Sequence, residues 1–418
     1  MSVQHITQLR CVKCHAIYTL EQQYTCPTCG LDGVLDIEYN YDLVAKTLTK
    51  TSLAEREHNH WRYKELLPIS DNVVLPNLQV GWTPVYHAPR VAQAIDVKDV
   101  YIKDDGRNPT ASFKDRASSV GVLKALEHGA KIIACASTGN AASSLAGFSA
   151  AVGLKSIIFV PERAPEPKIT QLLIFGATVI RVQGSYEEAW WFCQRACERW
   201  GWYNRNAAVN PYLVEGKKTA GLEIAEQMSD NMPDWVVFSV GDGCTIAGAW
   251  KGILEMHKLG ITPKLPKMLG VQAIGASPIV TAFRNQADLV ISDAQTIADS
   301  ICVGEPRNWR KAIKAIEDSK GEMIQVTDEE ILDAMRLAAR SAAVFGEPAG
   351  VAALAGLKRA RQAGIVKAKE SALVAITGNG LKDVQTARQA AGNPISLEPN
   401  MDKLEQVLVE EKLMLLNG

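Results

Sequence analysis

No run of about 18 apolar residues occurs in the 418-residue chain, which excludes a membrane-spanning helix on length. An excess of one charge is missing too. Lys and Arg number 45 against 46 Asp and Glu, a formal net charge of −1, and the basic runs are short and balanced by acids. No nucleic-acid or other polyanion partner is implied. The first thirty residues hold no apolar h-region, so no secretory signal is expected and the reducing cytoplasm is the expected address. Internal repeats and low-complexity tracts are absent. The seven histidines form no HExxH pattern, and His58 and His60 are expected to be solvated rather than metal ligands. The chain has 47% apolar and 22% charged residues, ordinary for a globular protein, and its length suggests two or three domains.

Nine cysteines make an odd, poor disulfide framework, so thiols are expected. Cys135, Cys193, Cys197, Cys244 and Cys302 are scattered, whereas Cys11, Cys14, Cys26 and Cys29 form two CxxC pairs with eleven residues between them. Four thiolates so spaced can close one tetrahedron around a structural Zn²⁺. Residues 1–38 therefore read as a zinc-ribbon-like module, with short strands at 18–20 and 34–37 and too little apolar content to fold on burial alone. The competing reading is an empty or oxidised ribbon used only for packing. A redox CxxC is disfavoured because two pairs occur together and no βαβ pattern follows at once.

Residues 40–80 read as a connecting arm with charged helical stretches and a turn at Leu75-Pro76-Asn77. From residue 99 to about 383, short β-branched runs alternate with longer amphipathic segments, the pattern of an α/β protein with mostly parallel strands. Strands are expected at 100–103, 131–136, 156–160, 178–182, 235–240, 269–273 and 372–376. Helices are expected at 115–128, 141–152, 186–200, 246–257 and 329–344. The aromatic residues Trp190, Trp191, Phe192, Trp200, Trp202 and Tyr203 read as core or subunit contact rather than a base-stacking platform. The last thirty residues read as a charged helical arm.

Four loops can carry chemistry. In Asn108-Pro109-Thr110-Ala111-Ser112-Phe113-Lys114-Asp115-Arg116, a lysine opens a helix behind small residues and one aromatic. Partial desolvation would lower its amine pKa and make it a Schiff-base nucleophile. Spacing alone would favour a surface lysine paired with Asp115. The loop Ala136-Ser137-Thr138-Gly139-Asn140-Ala141 offers hydroxyls and N–H groups for a carboxylate and an amide for a ring oxygen, although a plain capped turn is the commoner use of such residues. Gly241-Asp242-Gly243-Cys244-Thr245 lies between an apolar strand and a helix and suits a phosphate monoester. It lacks the lysine of a nucleoside-triphosphate loop, since Ala249 follows Gly248, and its spacing and position do not fit a dinucleotide fingerprint. In Thr377-Gly378-Asn379-Gly380-Leu381-Lys382-Asp383, the threonine hydroxyl can bond a heteroaromatic nitrogen while leaving it largely unprotonated.

The order of lysine, STGN loop, glycine-rich phosphate loop and TGNGLKD resembles the pyridoxal-phosphate enzymes of fold type II, related to tryptophan synthase β, and among them the threonine synthases. The resemblance spans roughly residues 80–385, includes Glu347-Pro348-Ala349, and extends to the ribbon-like module of some members. It implies two open, twisted, mostly parallel-sheet domains. The expected divisions are 1–38 for the ribbon, 39–110 for the arm and the start of the large domain, 111–205 for the smaller α/β domain, 206–385 for the large cofactor domain and 386–418 for the helical tail. It also implies that Lys114 is the Schiff-base lysine, that Asn140 bonds the cofactor's phenolic oxygen, and that Thr377 meets the pyridine nitrogen. Gly241, Asp242, Gly243, Cys244 and Thr245 would hold the phosphate. Ser137, Thr138 and Gly139 would clamp the substrate carboxylate, and Lys218 matches a family lysine at the substrate. A homodimer acting on a small amino acid is expected.

The pattern is broken in places. Many threonine synthases carry a Ser and an Arg where Ala208 and Leu213 stand before Glu215-Gly216-Lys217-Lys218-Thr219, and both help to hold the substrate's phosphate. Lys217 or Arg107 are the candidates to compensate. Asn379 replaces a frequent His and Ala111 a usual Gly. The implied reaction is β,γ-replacement on O-phospho-L-homoserine, giving L-threonine and phosphate. The alternatives are a threonine or serine ammonia-lyase, another β-replacing synthase, or a non-catalytic binding protein, the last disfavoured by the intact lysine.

Overall fold

The structure, a computed structural model, describes residues 5–20, 24–164, 166–206 and 209–410. Near the N-terminus, an antiparallel sheet orders its strands Ile17–Tyr18, Ile6–Cys11, Gly30–Tyr39 and Thr25–Cys26. The remainder is α/β, as the alternation of apolar runs and amphipathic segments predicts. A four-stranded, all-parallel sheet has the order Tyr203–Asn204, Ile132–Ala136, Lys155–Pro161 and Thr178–Val182. A six-stranded sheet runs Glu322–Val326, Lys267–Ala273, Trp235–Ser239, Ser371–Ile376, Asp99–Asp104 and Val85–His87, with only the last strand antiparallel to its neighbour. Every residue of Trp235–Ser239 is buried, because helices cover both faces of a parallel sheet and leave no solvent side to alternate toward.

The seven strands expected between residues 100 and 376 all form within about two residues of their predicted ends, whereas the run expected at 34–37 is part of the ten-residue strand Gly30–Tyr39. The strands Ile6–Cys11, Thr25–Cys26, Val85–His87, Tyr203–Asn204 and Glu322–Val326 were not foreseen; the two- and three-residue pairings among them carry no periodicity to read. The predicted arm is more than a connector. Trp61, Tyr63, Leu66 and Leu67 belong to the main core, and the Tyr63 hydroxyl donates to Glu226 Oε2 at 2.6 Å. His60, expected to be solvated, is fully buried: its ring nitrogens lie 3.2 Å from Ser119 Oγ and 3.4 Å from Thr219 Oγ1, and burial lowers its pKa to about 3. A flanking charged arm gave no hint of this, because the helices that cover His60 come from sequence-distant segments. His58 is exposed, as expected. The aromatic cluster divides: Trp190 and Tyr203 are buried, while Trp191, Phe192 and Trp200 are exposed. Among the described residues no helix is long and apolar enough to cross a membrane.

One helix, Tyr212–Gln227, organises the middle of the molecule. It is wedged at backbone distance between the helices Lys114–Glu127 and Cys244–Lys258, and glycines make that possible. A Cβ at Gly216 would lie 2.1 Å from Arg116 O, and one at Gly221 would lie 1.9 Å from Ala249 O. Neither contact can be relieved by turning a side chain, because the obstacle is backbone. Gly221→Ala should therefore push two helices apart at a cost of about 1–3 kcal/mol. Urea unfolding should show a lower midpoint with an unchanged slope; an unchanged midpoint would mean that these helices are not so closely apposed.

Candidate active site

Lys114 is the first residue of the helix Lys114–Glu127, and the loop before it is fixed by its own side chains. Asp115 accepts the Thr110 N–H at 2.6 Å and also the Thr110 hydroxyl. That carboxylate is therefore committed to the loop, and the simple Lys114–Asp115 surface pair does not form. Ala111 holds φ at +62°, a left-handed conformation that costs an alanine about 1 kcal/mol more than the glycine usual at this place. Burial, then the charge of Lys217, lower the Lys114 amine from 10.5 to about 8, with Glu347 acting in the opposite sense. Such a shift is about 3 kcal/mol against the charged form, enough to keep a useful neutral fraction of this amine near neutral pH.

The terminal glycine loop is stitched to the lysine loop through the backbone. The Phe113 N–H donates to Thr377 O at 2.8 Å and the Asn379 N–H to Ala111 O at 3.0 Å. Gly380 N–H donates to Phe345 O and Glu347 N–H to Gly378 O, which brings in the Glu347-Pro348-Ala349 segment. The Asn140 amide then closes the ring, donating to Glu347 Oε1 at 2.7 Å and Ser300 Oγ at 3.3 Å. A cleft opens here, lined by Thr138, Gly139, Asn140, Glu347 and Lys382 among others. Lys382 Nζ donates to Thr110 O at 2.9 Å and Ser143 Oγ at 3.1 Å.

The phosphate-loop candidate lies at the start of the helix Cys244–Lys258. Its N-cap is Gly243 at φ +88°, and no side chain caps the first turn. The free N–H groups of that turn, with the Lys114 amine, make a donor set that fits a phosphorylated aldehyde: an amine for the carbonyl carbon and N–H donors for the dianion. Pyridoxal phosphate has that chemistry.

Sequence reasoning brought Lys114, Thr138, Gly139, Asn140 and Thr377 to one place; Ser137 stands just behind, its Oγ accepting the Gly139 N–H at 3.1 Å. Lys218 is elsewhere. Its ammonium is fully buried between Glu215 Oε2 at 2.6 Å and Glu255 Oε2 at 2.9 Å, over the Tyr39 ring, on the side where the helix meets the N-terminal sheet. Arg107 is largely exposed and paired with Asp104, so it offers nothing to the cleft. Ala208 lies outside the described residues, and Leu213 is buried. Missed by the sequence reading were Arg205, which no motif contains, and the roles of Glu347 and Ser300. An acidic residue ahead of a helix-opening proline was visible, but its partner Asn140 is 207 residues away.

The four paired cysteines also come together, each offering a sulfur within 4.8 Å of the others. Cys14 Sγ and Cys26 Sγ are 3.7 Å apart, against about 3.8 Å along the edge of a tetrahedron with Zn–S bonds of about 2.3 Å. The Lys13 and Cys14 N–H groups point at Cys11 Sγ at 3.4 and 3.5 Å, as donors to a thiolate would. Gly33 is required beside them, since a Cβ there would lie 2.5 Å from that of Cys29.

Glu347 is buried, and desolvation raises its carboxyl from 4.5 to about 7, against the opposing pull of Lys382 and Lys114. The folded protein thus retains a proton that the unfolded chain releases above about pH 4.5, so stability falls as pH rises from about 4.5 to about 7 and this contribution levels off beyond. Glu347→Gln should remove up to about 3 kcal/mol of that fall. Urea unfolding of cofactor-free protein at several pH values checks this; parallel curves for wild type and variant would contradict it.

The comparisons agree with this geometry. Residues 77–378 match the family model described as pyridoxal-phosphate dependent enzyme. The threonine synthase of Methanocaldococcus jannaschii is 40% identical over 96% of this chain and 99% of its own length. That of Methanosarcina acetivorans is 38% identical over 96% and 98%. Among solved structures, threonine deaminase isoform 2 from Solanum lycopersicum superposes with a TM-score of 0.64 at 23% identity, covering 74% of this chain and 87% of its own. O-ureido-L-serine synthase superposes with a TM-score of 0.64 at 18% identity, covering 80% and 99%. These two likenesses concern the fold. With its lysine loop, its capless glycine turn and a matched length that runs from one end to the other, the chain belongs to the pyridoxal-phosphate-dependent enzymes of fold type II, in the branch of the threonine synthases.

Proposed function

We propose that the protein is a lyase of threonine biosynthesis, converting O-phospho-L-homoserine and water to L-threonine and phosphate with pyridoxal phosphate held at Lys114. The observation that carries this reading is the half-buried Lys114, its amine lowered to about 8, together with the uncapped first turn of the helix Cys244–Lys258 and the cleft lined by Thr138, Gly139 and Asn140. Bound there, the cofactor supplies an electron sink for carbanions formed on the amino acid.

The chain's own residues supply the rest. Gly243, Cys244 and Thr245 offer N–H groups to the cofactor's phosphate, with Gly241 and Asp242 shaping the turn. Thr377 offers a hydroxyl to the pyridine nitrogen, and Asn140 its amide to the phenolic oxygen, held in orientation by Glu347 and Ser300. Ser137, Thr138 and Gly139 take the substrate carboxylate. Lys114, with its lowered pKa, accepts the proton from Cα as a neutral amine and returns protons at later atoms of the same substrate. The four N-terminal thiolates hold a structural Zn²⁺. The exposed Trp191, Phe192 and Trp200 support a homodimer contact.

Three measurements check this. Purified protein given phosphohomoserine should release equal amounts of phosphate and threonine; 2-oxobutanoate from threonine without phosphate release would favour an ammonia-lyase, the reading to which Leu213 in place of arginine points. Lys114→Ala should lower turnover by at least about 10²–10⁴-fold and abolish the visible band of the lysine-bound cofactor. Metal analysis should find one zinc per chain, lost in Cys14→Ser, and chelation should melt the N-terminal sheet; a metal-free protein with an intact sheet would refute the zinc assignment.

A further inference from the structure

Three cations, two of them buried and one half-buried, converge near the start of the helix Cys244–Lys258, and none has a carboxylate within ion-pair distance among the described residues. They are Lys114, Lys217 and Arg205, the last two only 4% and 2% exposed. The contrast with other buried cations of this protein is sharp: Lys103, Arg116 and Lys218 each sit against acidic side chains at 2.6–2.9 Å. Burying a cation unpaired is costly, and burying several together more so. A fold that satisfies its other buried charges has left these for an anion.

The uncapped first turn of the helix Cys244–Lys258, which follows the strand Trp235–Ser239 of the six-stranded sheet, would meet the cofactor's phosphate with its free N–H groups. Arg205 belongs to the opposite wall. It directly follows the strand Tyr203–Asn204 of the four-stranded sheet, and its N–H donates to Ala134 O at 2.8 Å. The next residue, Asn206, accepts the Ala136 N–H at 2.8 Å, immediately before the Ser137-Thr138-Gly139 loop. The Arg205 side chain is steered by Ser118, whose Oγ accepts from Nε at 3.3 Å and Nη2 at 3.0 Å. Ser118 stands one helical turn after Lys114, so the guanidinium is held on the face of the helix that carries that amine.

Lys217 arrives from the helix Tyr212–Gln227, one turn after Leu213 and on the same face. Helical side chains lean toward the N-terminus, so a long residue at 217 covers the surface in front of 213. Leu213 itself is turned into the packing: its Cδ2 lies 2.9 Å from where a Gly121 Cβ would stand, and Arg205 Cγ lies 4.0 Å from the same point. The position that carries arginine in many threonine synthases is here apolar, and it is flanked by two cations from other positions.

We infer that Arg205 and Lys217 form the subsite for the phosphate that leaves the substrate, a relocated pair that replaces the residues missing at 208 and 213. This assignment rests on the phosphorylated-substrate reading of the proposed function and names the residues that would recognise that group. Both are specificity-determining: they bind a phosphate monoester and leave an unphosphorylated amino acid unaffected.

The test uses cofactor-loaded enzyme and inorganic phosphate as the probe, followed by perturbation of the visible band. Lys217→Gln should raise the half-saturating phosphate concentration, and KM for phosphohomoserine, by about tenfold or more. Cofactor content and the affinity for L-threonine should stay unchanged, and Lys217→Arg should restore most of the loss. Arg205→Met should behave as Lys217→Gln does; because Arg205 is buried, the lysine pair of variants decides should it fail to fold. A parallel loss of cofactor would show that the cations serve the cofactor's phosphate and would overturn the inference, as would unaltered phosphate binding in Lys217→Gln. Phosphate binding that depends on Lys217 without turnover of phosphohomoserine would uphold the subsite and refute the proposed reaction instead.

Discussion

An amine that must be neutral part of the time cannot sit beside a carboxylate, and that constraint governs what surrounds Lys114. The adjacent Asp115 is held away by Thr110, and the charge that bears most strongly on Lys114 is another lysine. Glu347, the acid that does face it, is itself buried enough to hold a proton up to about pH 7. The result is that Lys114, Lys217 and Arg205 stand without a carboxylate in ion-pair distance among the described residues, an arrangement that favours a bound anion.

Holding such a pocket open requires rigid walls, and these come from backbone rather than side chains. The lysine loop and the terminal glycine loop exchange main-chain hydrogen bonds, and the helix Tyr212–Gln227 fills the gap behind them through glycine contacts that admit no Cβ. The same helix carries Lys217 toward Lys114 and, on its next residue, Lys218 toward the N-terminal sheet. Lys218 and Lys251 bridge Glu215, Glu255 and Asp36, and the Tyr39 hydroxyl donates to Glu215 at 2.8 Å. The ribbon-like sheet, which contributes Asp36 and Tyr39, is thereby fastened to the helix that lines the active site.

How much of this is legible in the sequence depends on the distance over which each feature is encoded. The parallel strands, the glycine turns after them and the lysine at a helix start are local patterns, and all were readable from residues a few positions apart. The cysteine pairs are similarly local. Lys218 shows the limit: the family pattern put it at the substrate, but its orientation is set by Glu255 and Tyr39, 37 and 179 residues away, and no local signal distinguishes it from Lys217. Arg205 shows the same limit in reverse. Nothing in Tyr203-Asn204-Arg205-Asn206 announces a binding residue, since its meaning comes from Ser118 on another helix and from the lack of an ion-pair partner among the described residues.

Adjacent lysines at 217 and 218 point in directions about 100° apart around the helix, as the helical repeat requires, and the fold assigns them opposite tasks. One is saturated with carboxylates and works as a strut; the other is left without them and lies close to Lys114. Exchanging the partners would exchange the roles, so function at this site is written less in which residues are basic than in which basic residues have been denied an acid. The substitutions at 208 and 213 then need not mean a lost phosphate site: what a binding pocket for a dianion requires is uncompensated positive charge at the right wall, and two side chains from different elements can provide it as well as one arginine from the usual place.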